Sequence, residues 1–255
     1  MLEFASPDAP RARAVVLHGF TQSRWSLVRP LWPVLAQLGR TTRFLDAPGH
    51  GQNRGPTSLQ GFLEGVAAME PDLVVGYSMG GRLALWLCAQ VPSLETTVVA
   101  ISANPGILDP TSRAARRDRD EQLAARLEHL QPARGIDTDD TEVRGFLRAW
   151  DAQPLFAARR LGEAELRDRA AGDPRGWAWA LRTYGTGAQP DLVPALAASR
   201  ARLHLVVGGA DSAYRAHAER LHGRARRVVI PGAGHDVPAE APDLLAGAIL
   251  GLLAN

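Results

Sequence analysis

The 255-residue sequence predicts an α/β fold: a mostly parallel sheet flanked by helices, with a helical cap inserted into it. Three observations carry that expectation. Through the first hundred residues, short unbroken apolar runs alternate with segments of helical spacing. Between about Leu108 and Leu196 the runs stop and charged helical segments replace them. The alternation then resumes and ends in an apolar helix. Apolar runs of four to six residues closed by turn residues are the mark of strands buried on both faces, and such strands need helical crossovers.

The elements follow in order. Ala14-Val15-Val16-Leu17 is the first clear strand and ends at His18-Gly19. Leu27 to Leu38 has helical apolar spacing, with Pro30 and Pro33 near its start. Thr41 to Leu45 is the next strand, closed by the turn residues Asp46-Ala47-Pro48-Gly49-His50-Gly51. Leu59 to Met69 predicts a helix, Asp72-Leu73-Val74-Val75 a strand, Met79 to Val91 a helix stopped by Pro92, and Thr96 to Ile101 a strand. Four helical segments fill the middle: Arg113 to Leu130, Thr141 to Trp150, Pro154 to Arg169 and Arg175 to Tyr184. Strands are expected again at Arg202 to Val207 and Arg226 to Ile230, and a final helix over Ala241 to Leu253. This divides the chain into a core of residues 1–107 and 197–255 and a cap of residues 108–196.

Composition narrows the function. With 45% hydrophobic and 22% charged residues the chain reads as a globular protein with a sizeable core. The 29 basic residues, all arginine, nearly balance 27 acidic ones, and no basic tail or aromatic-basic stripe is present, which argues against a nucleic-acid partner. Arginine still matters locally, because its planar fork matches carboxylates. The lone cysteine, Cys88, has no disulfide partner or metal-ligand spacing and is expected in the core of a protein in a reducing, cytoplasmic setting. The segment Met1 to Pro7 lacks the pattern of a signal peptide, and no stretch of about 18 apolar residues predicts membrane insertion.

Chemistry is concentrated at Gly76-Tyr77-Ser78-Met79-Gly80. It matches G-x-S-x-G between a buried strand and a helix, the nucleophile elbow of the α/β-hydrolase fold. Such a turn holds Ser78 above the strand end, at a helix N-terminus that favours negative charge. Among seven histidines, His235 follows the last strand in Pro231-Gly232-Ala233-Gly234-His235, where this fold delivers its base. His204 lies within a strand, and His217 and His222 are expected on a solvated helix. Asp211, in Gly208-Gly209-Ala210-Asp211, follows the preceding strand and completes the order Ser, Asp, His. Its carboxylate would orient the imidazole and stabilise its charged form; the alternative for it is a helix N-cap or turn residue. His18-Gly19-Phe20 ends the first strand, so the Phe20 and Met79 N–H groups are expected to form an oxyanion hole, with His18 stabilising the loop.

Further motifs extend the pattern: His18-Gly19-Phe20-Thr21-Gln22-Ser23, Asp46 to Gly51, Gly80-Gly81-Arg82, Asn104-Pro105-Gly106-Ile107, the Arg116/Asp120 segment, Trp150 to Phe156, and Gly185 to Leu192. With these, the chain resembles nearly end to end the MenH-type 2-succinyl-6-hydroxy-2,4-cyclohexadiene-1-carboxylate synthases of menaquinone biosynthesis. The most specific matches are Arg82 after the glycine pair, Trp150-x-x-Gln153-Pro154-x-Phe156, and Gly185-Thr186-Gly187-x-Gln189-Pro190. Ala47 departs from the commoner leucine.

The resemblance implies a cofactor-free lyase. A ring proton is removed from a cyclohexene bearing an enolpyruvyl ether, pyruvate leaves, and a conjugated diene forms. The substrate carries three carboxylates, which calls for several arginines. Arg82 lies one helical turn after Ser78 and can face the same pocket. The resemblance adds Arg116 and Arg169 as carboxylate ligands, with Arg113, Arg117 or Arg119 able to replace Arg116, and Tyr77 and Trp150 as pocket walls. Either Ser78 or His235 would take the proton. Two other readings remain: a serine carboxylesterase using an acyl-enzyme and an apolar acyl site, and a non-catalytic binding protein, against which the complete Ser78, Asp211, His235 set argues. The expected partner is a small polycarboxylate; oligomeric state is not readable.

Overall fold

The apolar runs pair with one another as strands in the computed structural model, which describes residues 2–4, 13–54, 58–130, 142–157, 159 and 162–254. Strand β1 (Leu2–Phe4) comes first, followed by β2 (Arg13–Leu17), β3 (Thr41–Leu45), β4 (Leu73–Tyr77), β5 (Thr97–Ile101), β6 (Arg202–Gly208) and β7 (Ala225–Ile230). They form one sheet in the order β1-β3-β2-β4-β5-β6-β7. β2 to β7 run parallel, while β1 lies antiparallel to β3 at the edge. Parallel neighbours cannot be joined by tight turns, so helices carry the crossovers.

Three of these helices lie in the first half: α1 (Val28–Gln37), α2 (Leu59–Ala68) and α3 (Met79–Gln90). Between β5 and β6 come α4 (Pro110–Glu128), α5 (Glu142–Asp151), α6 (Glu163–Ala170), α7 (Pro174–Tyr184) and the single turn α8 (Val193–Leu196). Helix α9 (Ser212–Glu219) follows β6, and α10 (Val237–Glu240) and α11 (Pro242–Leu253) follow β7.

The strands are apolar throughout because both sheet faces are covered. Successive residues point to opposite faces. Val15, Leu17, Val74, Val98 and Ala100 pack with Leu63 of α2 and Leu83 and Leu87 of α3. Their neighbours Ala14, Val16, Val75, Val99 and Ile101 pack with Leu31 and Leu35 of α1 and Leu245 and Ile249 of α11. The helices between β5 and β6 share a third cluster, in which Leu127, Leu147, Leu166, Trp177 and Leu181 meet. Cys88 is buried in the first of these cores.

Several expectations need correction. The helix foreseen over Pro154–Arg169 is two elements: a single 3-10 turn at Pro154–Phe156 and, after the extended Gly162 (φ −81°, ψ 156°), the separate α6. Gly162 favours the break, and Arg159 between them turns inward to an ion pair with Asp236. Strand β1 and the short helices α8 and α10 have no counterpart in the sequence reading, since three or four residues carry no readable period. Thr141, the expected start of α5, lies outside the described residues, as do residues 1 and 5–7 of the N-terminal segment read as no leader. Among the described residues no helix is long and apolar enough to cross a membrane.

Helix α3 approaches the sheet so closely that two glycines have no room for a side chain. A Cβ on Gly76 would overlap the Gly80 carbonyl, and one on Gly80 would overlap the Leu17 carbonyl at the end of β2. Gly145 in α5, by contrast, would carry a Cβ that meets nothing within 4 Å. Urea unfolding should therefore separate the two sites. Gly80→Ala is expected to lose about 3 kcal/mol through overpacking. Gly145→Ala should gain about 0.5–1 kcal/mol through helix propensity. Equal effects would contradict the close approach.

Candidate active site

The end of β4 makes the sharpest turn in the site. Ser78 adopts φ 51° and ψ −108°, a left-handed conformation that is strained for a residue with a side chain. Its N–H donates to the Ile101 carbonyl at 2.8 Å, and its carbonyl accepts from Arg82 N–H at 3.0 Å. A serine at a helix N-terminus ordinarily caps with its hydroxyl. Here Ser78 makes no side-chain cap. The hydroxyl instead lies 3.1 Å from His235 Nε2.

His235 arrives from the loop after β7 and is 1% exposed. Its carbonyl accepts the Ser102 hydroxyl at 2.7 Å, which ties the loop to the end of β5. Three rings surround the imidazole: Tyr214 at 4.2 Å between centroids, and Tyr77 and Phe156 at 5.7 Å each. On the far side His235 Nδ1 lies 2.9 Å from Asp211 Oδ2. Asp211 Oδ1 accepts the Tyr214 N–H at 3.1 Å. The two meanings the sequence allows for Asp211 thus coexist, one carboxylate oxygen serving each.

Three of the other histidines, His18, His50 and His217, have hydrogen-bond partners within the fold. His18 lies with Nδ1 2.8 Å from the Gly19 carbonyl, and its Nε2 accepts Ala47 N–H at 3.1 Å. That assignment leaves the ring neutral, and burial holds its pKa below the ordinary histidine value. His50 is also buried, and desolvation pushes its pKa well down. His217 is not solvated as foreseen: it is half-buried in α9, with Nε2 accepting from Asn104 Nδ2 at 3.2 Å. His222 lies beyond that helix and is exposed.

Ser78 and His235 open into a cavity of about 340 Å³. Phe20, Tyr77, Met79, Arg82, Arg116 and Trp150 all line it, as the sequence leads one to expect. Met79 is the first residue of α3, so its N–H has no partner within the helix. Phe20 sits in a tight turn closed by Gln22 N–H to the Gly19 carbonyl at 3.2 Å. The Phe20 ring packs on Trp150 at 5.2 Å.

Arg169 is the exception and a correction. It does not line this cavity. Its guanidinium is buried, held by the Asp151 carboxylate at 2.8 and 3.0 Å and by the Thr21 hydroxyl at 2.8 and 3.2 Å. The arginine-rich composition hides this, because charge alone does not say which arginines find acids. In its place the wall contains Arg119, Arg159 and Tyr214. Arg159 meets three carboxylates: Asp236 at 2.6 Å, Glu165 at 2.7 Å and Asp151 at 3.1 Å. Arg119 is exposed at the cavity wall. The sequence signal for Tyr214 is its place three residues after Asp211, one turn along α9 and hence on the same side.

The cationic groups of the wall differ in what they hold. Arg116 pairs with Asp120 at 2.7 Å, whose second oxygen accepts Gly187 N–H at 3.0 Å. Buried Arg82 donates from one nitrogen to the Tyr184 carbonyl and to Gln189 Oε1, both at 2.8 Å. No carboxylate among the described residues forms an ion pair with it. Burial without an anion lowers its pKa to about 10, which still leaves a cation at neutral pH. Gln189 is itself anchored by donating to the Asn104 carbonyl at 3.1 Å. The Gly-Thr-Gly-x-Gln-Pro element is therefore the clamp that holds Arg82 and Asp120 in place. Among the described residues no cluster of three or more metal-ligating side chains occurs.

Comparison with known proteins agrees with this geometry. The alpha/beta hydrolase family model matches residues 14–248. The 2-succinyl-6-hydroxy-2,4-cyclohexadiene-1-carboxylate synthase of Enterobacter sp. (strain 638) is 32% identical, over 94% of this chain and 90% of that protein. The enzyme of the same name from Escherichia coli O1:K1 is 30% identical, over 93% of this chain and 91% of its own length. The solved structure of MenH from S. aureus shares the fold with a TM-score of 0.84 at 24% identity, covering 99% of this chain and 97% of that one. The chain belongs to the α/β-hydrolase family and, within it, to the 2-succinyl-6-hydroxy-2,4-cyclohexadiene-1-carboxylate synthases.

Proposed function

We propose that this chain is a carbon–oxygen lyase of menaquinone biosynthesis. It eliminates pyruvate from 2-succinyl-5-enolpyruvyl-6-hydroxy-3-cyclohexene-1-carboxylate to give 2-succinyl-6-hydroxy-2,4-cyclohexadiene-1-carboxylate. The observation that carries this reading is the pairing, in one cavity, of a Ser–His–Asp relay with a buried guanidinium, Arg82, that has no carboxylate partner among the described residues. An esterase pocket calls for an apolar acyl site. A buried unpaired cation favours an anionic ligand instead.

In the proposed mechanism Asp211 orients His235 and stabilises its protonated form. His235 takes the ring proton directly, or draws the Ser78 proton so that the serine oxygen takes it. General-base help of this kind contributes roughly 10²–10⁴-fold. Negative charge then develops on the succinyl ketone oxygen, where the Phe20 and Met79 N–H groups would receive it. The electron pair moves through the ring, the carbon–oxygen bond to the enolpyruvyl group breaks, and the diene forms. The proton lost by the ring is matched by the one the pyruvate enolate gains, so no water is consumed. Arg82 and Arg116 hold carboxylates, Tyr77 and Trp150 wall the ring, and residues 108–196 act as a cap over the cavity. The same reading places the enzyme in the cytoplasm, where a lone buried thiol such as Cys88 stays reduced.

A lactate dehydrogenase-coupled assay tests the activity. The wild-type protein should release pyruvate from the enolpyruvyl substrate, and His235→Ala should lower kcat by about 10³-fold. Ser78→Ala should lower it by at least about 10²-fold with an unchanged unfolding midpoint. Rapid cleavage of nitrophenyl esters without pyruvate release would replace this reading with the esterase. The arginines should divide in a second experiment. Arg82→Ala is expected to raise KM by about 10²-fold, the loss of a desolvated charge pair. Arg169→Ala should leave KM within about twofold while costing on the order of 3 kcal/mol in urea, because a buried ion pair is broken. The reverse pattern would return Arg169 to the substrate.

A further inference from the structure

Most polar side chains in the cavity wall already hold a protein partner. Arg159 meets three carboxylates and Arg116 meets Asp120. Gln22 accepts the Gly19 N–H, and Gln153 donates to the Trp150 carbonyl. Tyr214 differs. Its backbone is fixed by Asp211, yet no group among the described residues hydrogen-bonds its hydroxyl.

The phenol is nonetheless tightly aimed. The first turn of α9 is pinned by the same carboxylate that orients His235. The Tyr214 ring is packed between His235, at 4.2 Å, and His217, edge-on at 5.3 Å. Burial raises the phenol above its ordinary pKa, and the positive charges of Arg82 and Arg116 pull against that rise. Tyr214 lines the same cavity as Arg82 and Arg116, and its hydroxyl remains a proton donor at neutral pH. Arg82, in the same cavity wall, is buried and forms no ion pair among the described residues.

We propose that the Tyr214 hydroxyl and the Arg82 guanidinium form one carboxylate subsite, and that Tyr214 sets the preference for a ligand presenting a carboxylate there. This rests on the polycarboxylate substrate proposed above. A carboxylate has two oxygens and can accept from the guanidinium with one and from the phenol with the other. A neutral ligand would satisfy the phenol but leave Arg82 uncompensated.

Tyr214→Phe isolates the hydroxyl, because the ring that packs against His235 is kept. In the pyruvate-release assay the variant should show KM raised about tenfold and kcat within about twofold, as for one lost hydrogen bond to a charged group. A purely structural role would not split the two constants in this way. Unchanged KM overturns the proposal, and so does a fall in kcat at constant KM, which would move the hydroxyl to the reacting atoms. Calorimetric titration with citrate, a tricarboxylate probe, gives an arm independent of turnover. Wild type should bind it at least about fivefold more tightly than Tyr214→Phe; equal affinity, or none in either protein, overturns the subsite. Pyruvate release by the wild-type protein judges the reaction separately from the citrate comparison, so the two failures are distinguishable.

Discussion

The close approach of α3 to the sheet is the constraint on which the site depends. With glycine at positions 76 and 80, the backbone of the helix start can touch the ends of β4 and β2. The chain must then turn within one residue, and that residue is Ser78, held at positive φ by hydrogen bonds to Ile101 and Arg82. The strain is local and is over-determined by its neighbours. Its consequence is that the hydroxyl does not cap its own helix but projects to His235. The same turn starts the helix that carries Arg82 to the cavity wall one turn later. The placements of the Ser78 hydroxyl, the Met79 N–H and the Arg82 side chain therefore descend from a single steric condition.

A second organising theme is the distribution of charge. The chain is almost electrically balanced, and Arg116 and Arg159 at the cavity wall and Arg169 behind it are spent on protein carboxylates. Arg169 and Arg159 share Asp151, and Arg159 reaches on to Asp236, the residue after His235. This network links α5, Arg159 and the histidine loop. Burial raises the pKa of Asp236, and the Arg159 charge opposes that rise, so the carboxylate depends on its partner. Such pairs join parts of the fold without leaving charge for a ligand. Arg82 is treated differently: its partners are neutral oxygens, so its charge is positioned but not cancelled.

Legibility followed the range of the interaction. The strands that are buried on both faces announced themselves as apolar runs, and β2 to β7 lie within a residue or two of their expected positions. The elbow was equally clear, because G-x-S-x-G expresses a contact between residues four apart. Ser78, Asp211 and His235 were placed by their positions at strand ends, and the structure brings them within hydrogen-bond distance. Elements shorter than one period, such as β1 and α10, left no pattern. The break after Phe156 was masked by the largely polar run from Arg159 to Arg169, where breaks and helix look alike in composition.

From its residues alone the chain determined the sheet, the elbow, the order of the relay and the family, since each rests on local sterics or on residue types at fixed spacing. The folded molecule was needed to decide which arginines are free. Arg82, Arg159 and Arg169 are indistinguishable as letters, yet one faces neutral oxygens and two face carboxylates. The Tyr214 hydroxyl likewise acquires meaning only from the cations that share its cavity and the rings packed against its own. Pairing between charges far apart along the chain depends on which surfaces the crossovers press together, and no spacing rule records that.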